Sequence, residues 1–282
     1  MSKIKIFGDS TCDLPKEVLD TYGMEVLPLP VFVGEKQCLD GVDVTPDDIY
    51  DYYRKTGQLC RTSAANTSDY INFWKPWVEQ GYEIIHFHIS SEISGSYNSA
   101  RLAAEELGHV YPIDSRVLST GIGLLMLTAC DLRDAGKTAA EIVDIIEERK
   151  KKYQTSFLVD VIEYLWKGGR CNGVAALGAN ILKLKPRIDL ADGQMLSTKK
   201  YRGKTEKCFA AYADDLLAGR DDICLDRIFV THSGIDQKII DLAVNKVKEH
   251  QPGVKEILVT RAGCTISCHC GPGTLGILYL YK

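Results

Sequence analysis

The sequence has 282 residues, of which 45% are hydrophobic and 26% are charged, a composition typical of globular proteins with a sizeable core. Its formal net charge of -4 argues against a nucleic-acid-binding protein, because such proteins usually carry a basic excess. The N-terminus has no apolar signal core, and no apolar run reaches the roughly 20 residues that span a bilayer. Ten cysteines without a secretion signal indicate reduced thiols. The sequence therefore predicts a cytoplasmic protein without stable membrane insertion.

The first half of the chain alternates short apolar segments with amphipathic ones. Strands are predicted at residues 4–7, 25–33, 83–89 and 109–113. Helices are predicted to begin at Pro15, at Thr45 with its Pro-Asp-Asp first turn, and at Gly95, and two more occupy residues 119–153. This strand–helix alternation predicts a doubly wound parallel sheet in a first domain formed by residues 1–154.

The pattern changes in the second half, residues 155–282, which is predicted to form a second domain. Strands are predicted at residues 157–161, 227–232, 256–260 and 275–281, and helices at residues 205–218 and 236–249. Residues 187–197 contain Asp192-Gly193 between strand-like flanks, which is typical of a β-hairpin. The second half is therefore expected to be an α+β sandwich with a mostly antiparallel sheet. A ligand site is expected in the cleft between the two domains.

Three polar segments follow predicted strands or loops in the first domain. Residues 9–13 follow the first strand at the carboxyl edge, where open α/β sheets bind ligands, and residues 61–68 form a hydroxyl-rich loop. When each segment is taken alone, a helix cap and a turn explain it better than a ligand site does. The third segment, residues 89–100, places Ser94 and Gly95 at a helix N-terminus, where backbone N–H groups favour a carboxylate or phosphate. Simple capping of that helix by Ser94 is the alternative.

His269 lies among three cysteines and directly before a Gly-Pro-Gly turn. In an extended chain, His269 faces away from Cys268 and Cys270, and in a helix only Cys264 and Cys268 share a face. Neither geometry brings all four side chains onto one zinc ion, so no metal site is expected. The sequence also lacks a P-loop, a dinucleotide-binding motif and the G-x-S-x-G elbow of many hydrolases. A serine esterase or thioesterase that uses Ser94 and His269 stays as the alternative enzyme hypothesis.

Taken together, these segments resemble the DegV family, whose members include the fatty-acid-binding subunits of bacterial fatty acid kinase. The resemblance spans essentially the whole chain. It is carried by residues 9–15 (DSTCDLP), 62–63 (TS), 90–97 (SSEISGSY), 164–170 (YLWKGGR) and 269–273 (HCGPG). It implies a Rossmann-like N-terminal domain, a C-terminal α/β domain and a long-chain fatty acid between them.

The resemblance also implies which residues hold the ligand. Thr62, Ser94 and His269 match the positions that bind the fatty acid carboxylate in the family. Physical chemistry is consistent with such a site, since each buried methylene contributes about 0.8 kcal/mol. The buried carboxylate requires hydrogen-bond donors, because an unpaired charge away from water is costly. Further ligand contacts are expected at Ser63, Gly95, Ser96 and Arg170.

The partner expected from the resemblance is the catalytic subunit of a fatty acid kinase. That subunit transfers the γ-phosphoryl group of ATP to the carboxylate, so this chain is expected to be a non-catalytic lipid-binding protein without a cofactor of its own. Arg202 matches an arginine at the kinase interface. A carrier or sensor that sequesters lipid without any kinase is the alternative binding hypothesis.

Overall fold

The computed structural model describes residues 3–171 and 184–282. Four parallel strands form the first sheet in the order β2-β1-β6-β7, which confirms the predicted parallel sheet of a Rossmann-like domain. Their bounds are β1 Lys3–Asp9, β2 Glu25–Leu27, β6 Tyr82–His88 and β7 Val110–Asp114. A small sheet in the order β4-β3-β5 lies beside it, with β3 Pro30–Val33, β4 Lys36–Leu39 and β5 Arg61–Thr62.

Six helices connect and cover the strands of the first half. They are α1 Lys16–Tyr22, α2 Pro46–Thr56, α3 Thr67–Val78, α4 Ser96–Leu107, α5 Thr120–Asp134 and α6 Ala139–Arg149. Helix α2 begins with a reciprocal hydrogen-bond pair between Thr45 and Asp48, the arrangement that its start signal predicts. Asn66 and Asp69 cap α3 in the same way.

Seven described strands form the second sheet, whose pairings are antiparallel except for β12 with β13, so the predicted mostly antiparallel sheet is confirmed. They are β8 Tyr153–Gln154, β9 Ser156–Leu158, β10 Leu184–Ala191, β11 Gln194–Arg202, β12 Ile223–His232, β13 Glu256–Arg261 and β14 Leu275–Tyr281. The predicted hairpin turns at Asp192 and Gly193, both of which have positive φ angles. This sheet already begins at Tyr153, two residues before the expected domain boundary.

The described part of the second half contains four more helices: α7 Ile162–Gly168, α8 Thr205–Leu217, α9 Gln237–His250 and α10 Cys264–Cys270. None of the helices in the described ranges is both long and apolar enough to cross a bilayer.

The prediction of one strand over residues 25–33 was wrong. The segment forms β2 and β3, which belong to different sheets. Pro28 and Pro30 lack backbone N–H groups, so the segment cannot donate a continuous row of hydrogen bonds to one neighbour. This break separates β2 in the first sheet from β3 in the small sheet, where β5 places Thr62 next to β3.

Helix α5 lies between the two large sheets and joins the two halves. It packs against β1 and β6 on one side and against β12 and β14 on the other. Its residues from Thr120 to Leu127 are all buried, which is expected of a helix that is apolar on every side. A single hydrophobic cluster consequently runs from Ile6 and Phe87 in the first sheet to Phe157 and Leu278 in the second. This shared core fixes the cleft between the two halves.

Candidate functional site

A cavity of about 550 Å³ lies between the two halves of the molecule, within the usual size range of small-molecule sites. One part of its wall is polar and is formed by the loops that follow β5 and β6 together with α10. Another part is apolar and includes Leu29, Ile89, Leu118 and Ile266. The predicted site residues that line it are Thr62, Ser63, Ser94, Gly95, Arg170 and His269.

The polar end of the cavity contains a direct contact between the two halves. The Oγ1 atom of Thr62 lies 2.8 Å from Nε2 of His269, within hydrogen-bond distance. Thr62 is held by its pairing with Val31 in the small sheet, whereas His269 comes from α10 in the second half. The tertiary fold therefore brings together two side chains that are 207 positions apart in the sequence.

His269 is an uncharged imidazole at neutral pH in this structure. Burial, with a contribution from the cation of Arg170, lowers the pKa of His269 to about 4. Its Nδ1 atom has no hydrogen-bond partner among the described residues. A Cβ atom at Gly168 would lie 2.7 Å from this Nδ1, so only glycine leaves room for the ring there. This close approach explains Gly168, the last residue of α7, and Gly169 follows it with a φ of +67°.

Gly271, the first glycine of the Gly-Pro-Gly turn, occupies a position that only glycine can take. It has a φ of +67°, and a Cβ atom there would lie 2.7 Å from the ring of Tyr164. Any other residue would be strained in this conformation and would collide with α7. The turn thus holds α7 tightly against the end of α10, directly beside His269.

Ser94 lies in the loop between β6 and α4. Its Oγ atom is 3.1 Å from the hydroxyl of Ser96 and accepts a hydrogen bond from the backbone N–H of Ser96 at 3.2 Å. Ser94 thus satisfies part of the α4 N-terminus, while Gly95 is the N-cap residue. Ser96 is fully buried beneath Ser94 and does not line the cavity, so its expected ligand contact is replaced by a supporting one.

Two buried carboxylates hold the N-terminus of α10 in place. Asp40 accepts hydrogen bonds from the backbone N–H groups of Cys264 at 2.7 Å and Thr265 at 3.0 Å. Asp13 accepts one from Gly263 at 2.8 Å. Burial, despite hydrogen bonds from Ser119 and Gly263, raises the pKa of Asp13 to about 8. The first half of the chain therefore positions the helix that carries His269. Sequence reasoning missed Asp40, because an Asp-Gly pair by itself indicates only a turn.

The first polar segment, residues 9–13, divides between the core and the cavity. Asp9 is fully buried and accepts hydrogen bonds from Tyr70 at 2.9 Å, from His86 at 3.2 Å and from His88 at 3.3 Å. Burial alone would raise the pKa of Asp9, but the two histidines outweigh it, so this pKa lies well below the usual range. Thr11, two residues further on, lines the cavity.

Asp9, His86 and His88 also have the spacing of a metal-binding cluster. The indole N–H of Trp74 donates to Nδ1 of His86 at 2.8 Å, so the proton of this imidazole must be on Nε2, the atom that faces Asp9. A metal ion bound to Nε2 would require the proton to be on Nδ1. That N–H would then face the indole N–H, and two donors cannot form a hydrogen bond with each other. The geometry fits a network of hydrogen bonds and does not fit a metal site.

The remaining predicted residues lie at the rim of the site or outside it. Arg170 lines the cavity, is exposed to solvent, and donates a hydrogen bond to the carbonyl oxygen of Gly168 at 2.7 Å. Ser63 is exposed at the cavity wall, and its hydroxyl donates to the carbonyl oxygen of Ala64. Arg202 is exposed at the end of β11 and does not line the cavity.

A hairpin from the second half closes one side of the cavity. The tip of β10 and β11 contacts the loop after β6: Ser90 donates to the carbonyl oxygen of Gly193 at 2.8 Å, and Gln194 donates to Glu92 at 3.1 Å. Met195, the next residue of the hairpin, lines the cavity. No sequence motif marked Met195, because its place in the wall depends on where the hairpin docks.

A second void of about 30 Å³ lies deeper in the molecule and extends the apolar part of the site. Three residues, Leu118, Ile266 and Cys270, line both this void and the large cavity. Phe157 and Leu278 line only the smaller void, on the side of the second sheet. The two voids thus share part of their wall, and the smaller one lies towards the second sheet.

The serine hydrolase hypothesis requires a hydrogen bond between Ser94 and His269 and a third group that orients the imidazole. Among the described residues, the Ser94 hydroxyl is bonded to Ser96, and the imidazole of His269 to Thr62. The second imidazole nitrogen has no partner in these residues. The arrangement therefore lacks the contacts of a nucleophile and its base.

The structure is an α/β protein with two large sheets and a cavity between its two halves. The DegV family, which is described only as uncharacterised, matches residues 3–282, and the chain belongs to this family. A DegV domain-containing protein of Clostridium perfringens is 31% identical over 284 residues and 99% of each chain.

The similarity extends to proteins described as binding fatty acids. A fatty acid-binding protein of Thermotoga maritima is 29% identical over 281 residues, which cover 97% of this chain and 96% of that protein. The solved structure of a fatty-acid-binding DegV family protein from Thermus thermophilus has a TM-score of 0.89. Its sequence is 29% identical to this one, and the match covers 99% of this chain and 100% of that chain.

Proposed function

We propose that this protein binds one long-chain fatty acid in the interdomain cavity, with its carboxylate at Thr62, Ser94 and His269 and its tail towards the smaller void. The observation that carries the proposal is the junction of Thr62 and His269 at the polar end of a cavity whose opposite wall is apolar. The fatty-acid-binding relatives in Thermus thermophilus and Thermotoga maritima support the same ligand class.

The charge of the site suits a carboxylate that is held by neutral donors. Because His269 is uncharged, the polar end presents hydroxyl and imidazole groups, and the cation of Arg170 stands at the rim. Hydrogen bonds to a charged acceptor contribute about 1.5–3 kcal/mol each, so two or three of them can hold the head group. The tail contributes by burial, at about 0.8 kcal/mol for each methylene.

Removing the two hydroxyls is the direct test of the head-group site. We expect that the double variant Thr62→Ala/Ser94→Ala loses at least about tenfold in fatty acid affinity, because two charge-assisted hydrogen bonds are lost. The measurement is native mass spectrometry of gently purified protein, followed by titration of delipidated protein with palmitate. The double variant Ser99→Ala/Thr128→Ala is the matched control, since neither side chain lines the cavity. Equal retention by both double variants would refute the head-group assignment.

We further propose that the bound carboxylate is presented to a separate kinase, which supplies ATP and metal and forms an acyl phosphate. Phosphoryl transfer depends mainly on positioning, so a protein that fixes the attacking oxygen contributes without catalytic groups of its own. Lys200, Arg202 and Lys204 are exposed at the end of β11 and the turn after it, where they could bind an acidic surface.

Arg202→Ala tests the kinase partnership. We expect unchanged palmitate affinity, because Arg202 does not line the cavity, together with a several-fold lower rate of acyl phosphate formation by the kinase. The assay measures phosphate transfer from labelled ATP at saturating palmitate, and Lys248→Ala on α9 serves as a charge-matched control. If the variant instead loses palmitate, Arg202 belongs to the ligand site. If the wild-type protein supports no phosphorylation at all, the result favours a carrier or sensor that acts without a kinase.

A further inference from the structure

Two threonines in the cavity wall have hydroxyl groups that the protein leaves unsatisfied. Thr11 is 0% exposed and Thr265 is 7% exposed, and both line the cavity. Neither Oγ1 atom has a hydrogen-bond partner among the described residues. A buried hydroxyl without a partner is destabilising, so a polar group that reaches these two side chains is stabilised there. Neither residue belongs to the head-group set of Thr62, Ser94 and His269.

One carboxylate connects the two chain segments that carry the threonines. Oδ2 of Asp40 accepts a hydrogen bond from the hydroxyl of Ser10 at 3.0 Å and from the backbone N–H of Thr265 at 3.0 Å. Ser10 precedes Thr11 in the single helical turn after β1, and this turn packs against α10. The shared acceptor therefore fixes both backbones that carry the unsatisfied hydroxyls.

The position of Thr265 places this pair close to the head group. Thr265 and His269 are four residues apart on α10, so their side chains lie on the same face with about 5–6 Å between their Cβ atoms. A carboxylate bound at His269 therefore has its first few carbon atoms near Thr265. A substituent on one of these carbons reaches the pair, whereas a substituent in the middle of the chain lies further along the cavity.

We propose that Thr11 and Thr265 form a second polar subsite, which binds a hydroxyl group next to the carboxylate, so that the preferred ligand is a 3-hydroxy fatty acid. A neutral hydroxyl suits the pair because it can donate one hydrogen bond and accept another. A second anionic group does not suit it, since the carboxylate of Asp40 is bonded to Ser10, the neighbour of Thr11, and to the backbone N–H of Thr265. This inference rests on the proposed function and names the subclass of fatty acid that the same cavity takes.

Competition between matched ligands tests the subsite. Delipidated protein is incubated with palmitic acid and either (R)- or (S)-3-hydroxypalmitic acid, and native mass spectrometry gives the ratio of the bound species. We expect one enantiomer to bind about tenfold tighter than palmitic acid, because its hydroxyl forms one or two additional hydrogen bonds with the pair. The other enantiomer directs its hydroxyl away from the pair, so it gains nothing.

Variants of the two threonines complete the test. Thr11→Val and Thr265→Val keep the side-chain shape and should abolish the preference while palmitic acid still binds. Thr11→Ser and Thr265→Ser keep the hydroxyl and should retain the preference for the 3-hydroxy acid. Thr128→Val is the control, because it makes the same substitution outside the cavity. Equal binding of all three acids to the wild type would overturn the subsite and leave fatty acid binding intact, with an ordered water as the partner of the hydroxyls. Failure of every acid to bind would overturn the proposed function as well.

Discussion

Replacing Asp40 by alanine is expected to lower the free energy of unfolding by about 3–5 kcal/mol and to abolish fatty acid retention. The substitution removes the acceptor for two backbone N–H groups at the start of α10 and for the hydroxyl of Ser10. All of these groups are at least partly buried, so they cannot exchange the lost bonds for water without opening the structure. Helix α10 carries both Thr265 and His269, so its displacement alters the cavity as well as the stability.

Asp43→Ala is the matched control for Asp40→Ala. It removes a carboxylate from the same loop, and this carboxylate accepts one hydrogen bond from the N–H of Leu39 at the surface. We expect its unfolding midpoint in urea to stay close to that of the wild type. Similar midpoints for Asp40→Ala and Asp43→Ala would show that the buried carboxylate does not hold the two halves together.

Asp9→Ala is expected to lower the free energy of unfolding by about 3–5 kcal/mol, as Asp40→Ala does, but to affect ligand affinity less. The substitution leaves three buried donors, on Tyr70, His86 and His88, without their common acceptor. Burial lowers the pKa of His86 to about 4, so this imidazole is neutral at pH 7, and its single N–H, which faces Asp9, loses its acceptor. Urea unfolding at pH 7 measures the loss of stability directly.

Asp9→Asn is expected to lower the free energy of unfolding much less than Asp9→Ala, because the protonation of the two histidines can match an amide. Nε2 of His88 has no partner among the described residues, so the ring can move its proton there and accept a hydrogen bond from the new amide at Nδ1. His86 cannot make this change, because Trp74 donates to its Nδ1 atom. The amide oxygen must therefore face His86 and Tyr70. If Asp9→Asn is as destabilising as Asp9→Ala, a negative charge is required at this position.

Local patterns were sufficient for the elements whose sequence carries its own boundary signals. The capping residues of α2, the Asp192-Gly193 turn and the alternation of strands and helices predicted the corresponding parts of the fold, because these features depend on contacts a few residues apart. The single strand predicted over residues 25–33 failed for a local reason as well. Its prolines at positions 28 and 30 interrupt the row of donors, and this signal was in the sequence.

The resemblance to a family placed Thr62, Ser94 and His269 at one site, and the structure places all three around one cavity. Spacing alone could not have joined Thr62 to His269, because no local rule relates residues 207 positions apart. Ser96 shows the reverse case, since it lies within the predicted motif but supports Ser94 from below. The side of a loop that faces a cavity is decided by the packing beneath it.

The sequence by itself predicted most of the strands and helices and the residue types that could hold a carboxylate. Tertiary structure alone decided that Asp40 accepts hydrogen bonds from α10, that Met195 lines the cavity, and that Thr11 and Thr265 line the same cavity with unsatisfied hydroxyls. The physical reason is that such buried polar contacts depend on the relative position of the two halves. That position is set by a helix, α5, whose apolar surface packs against both sheets at once.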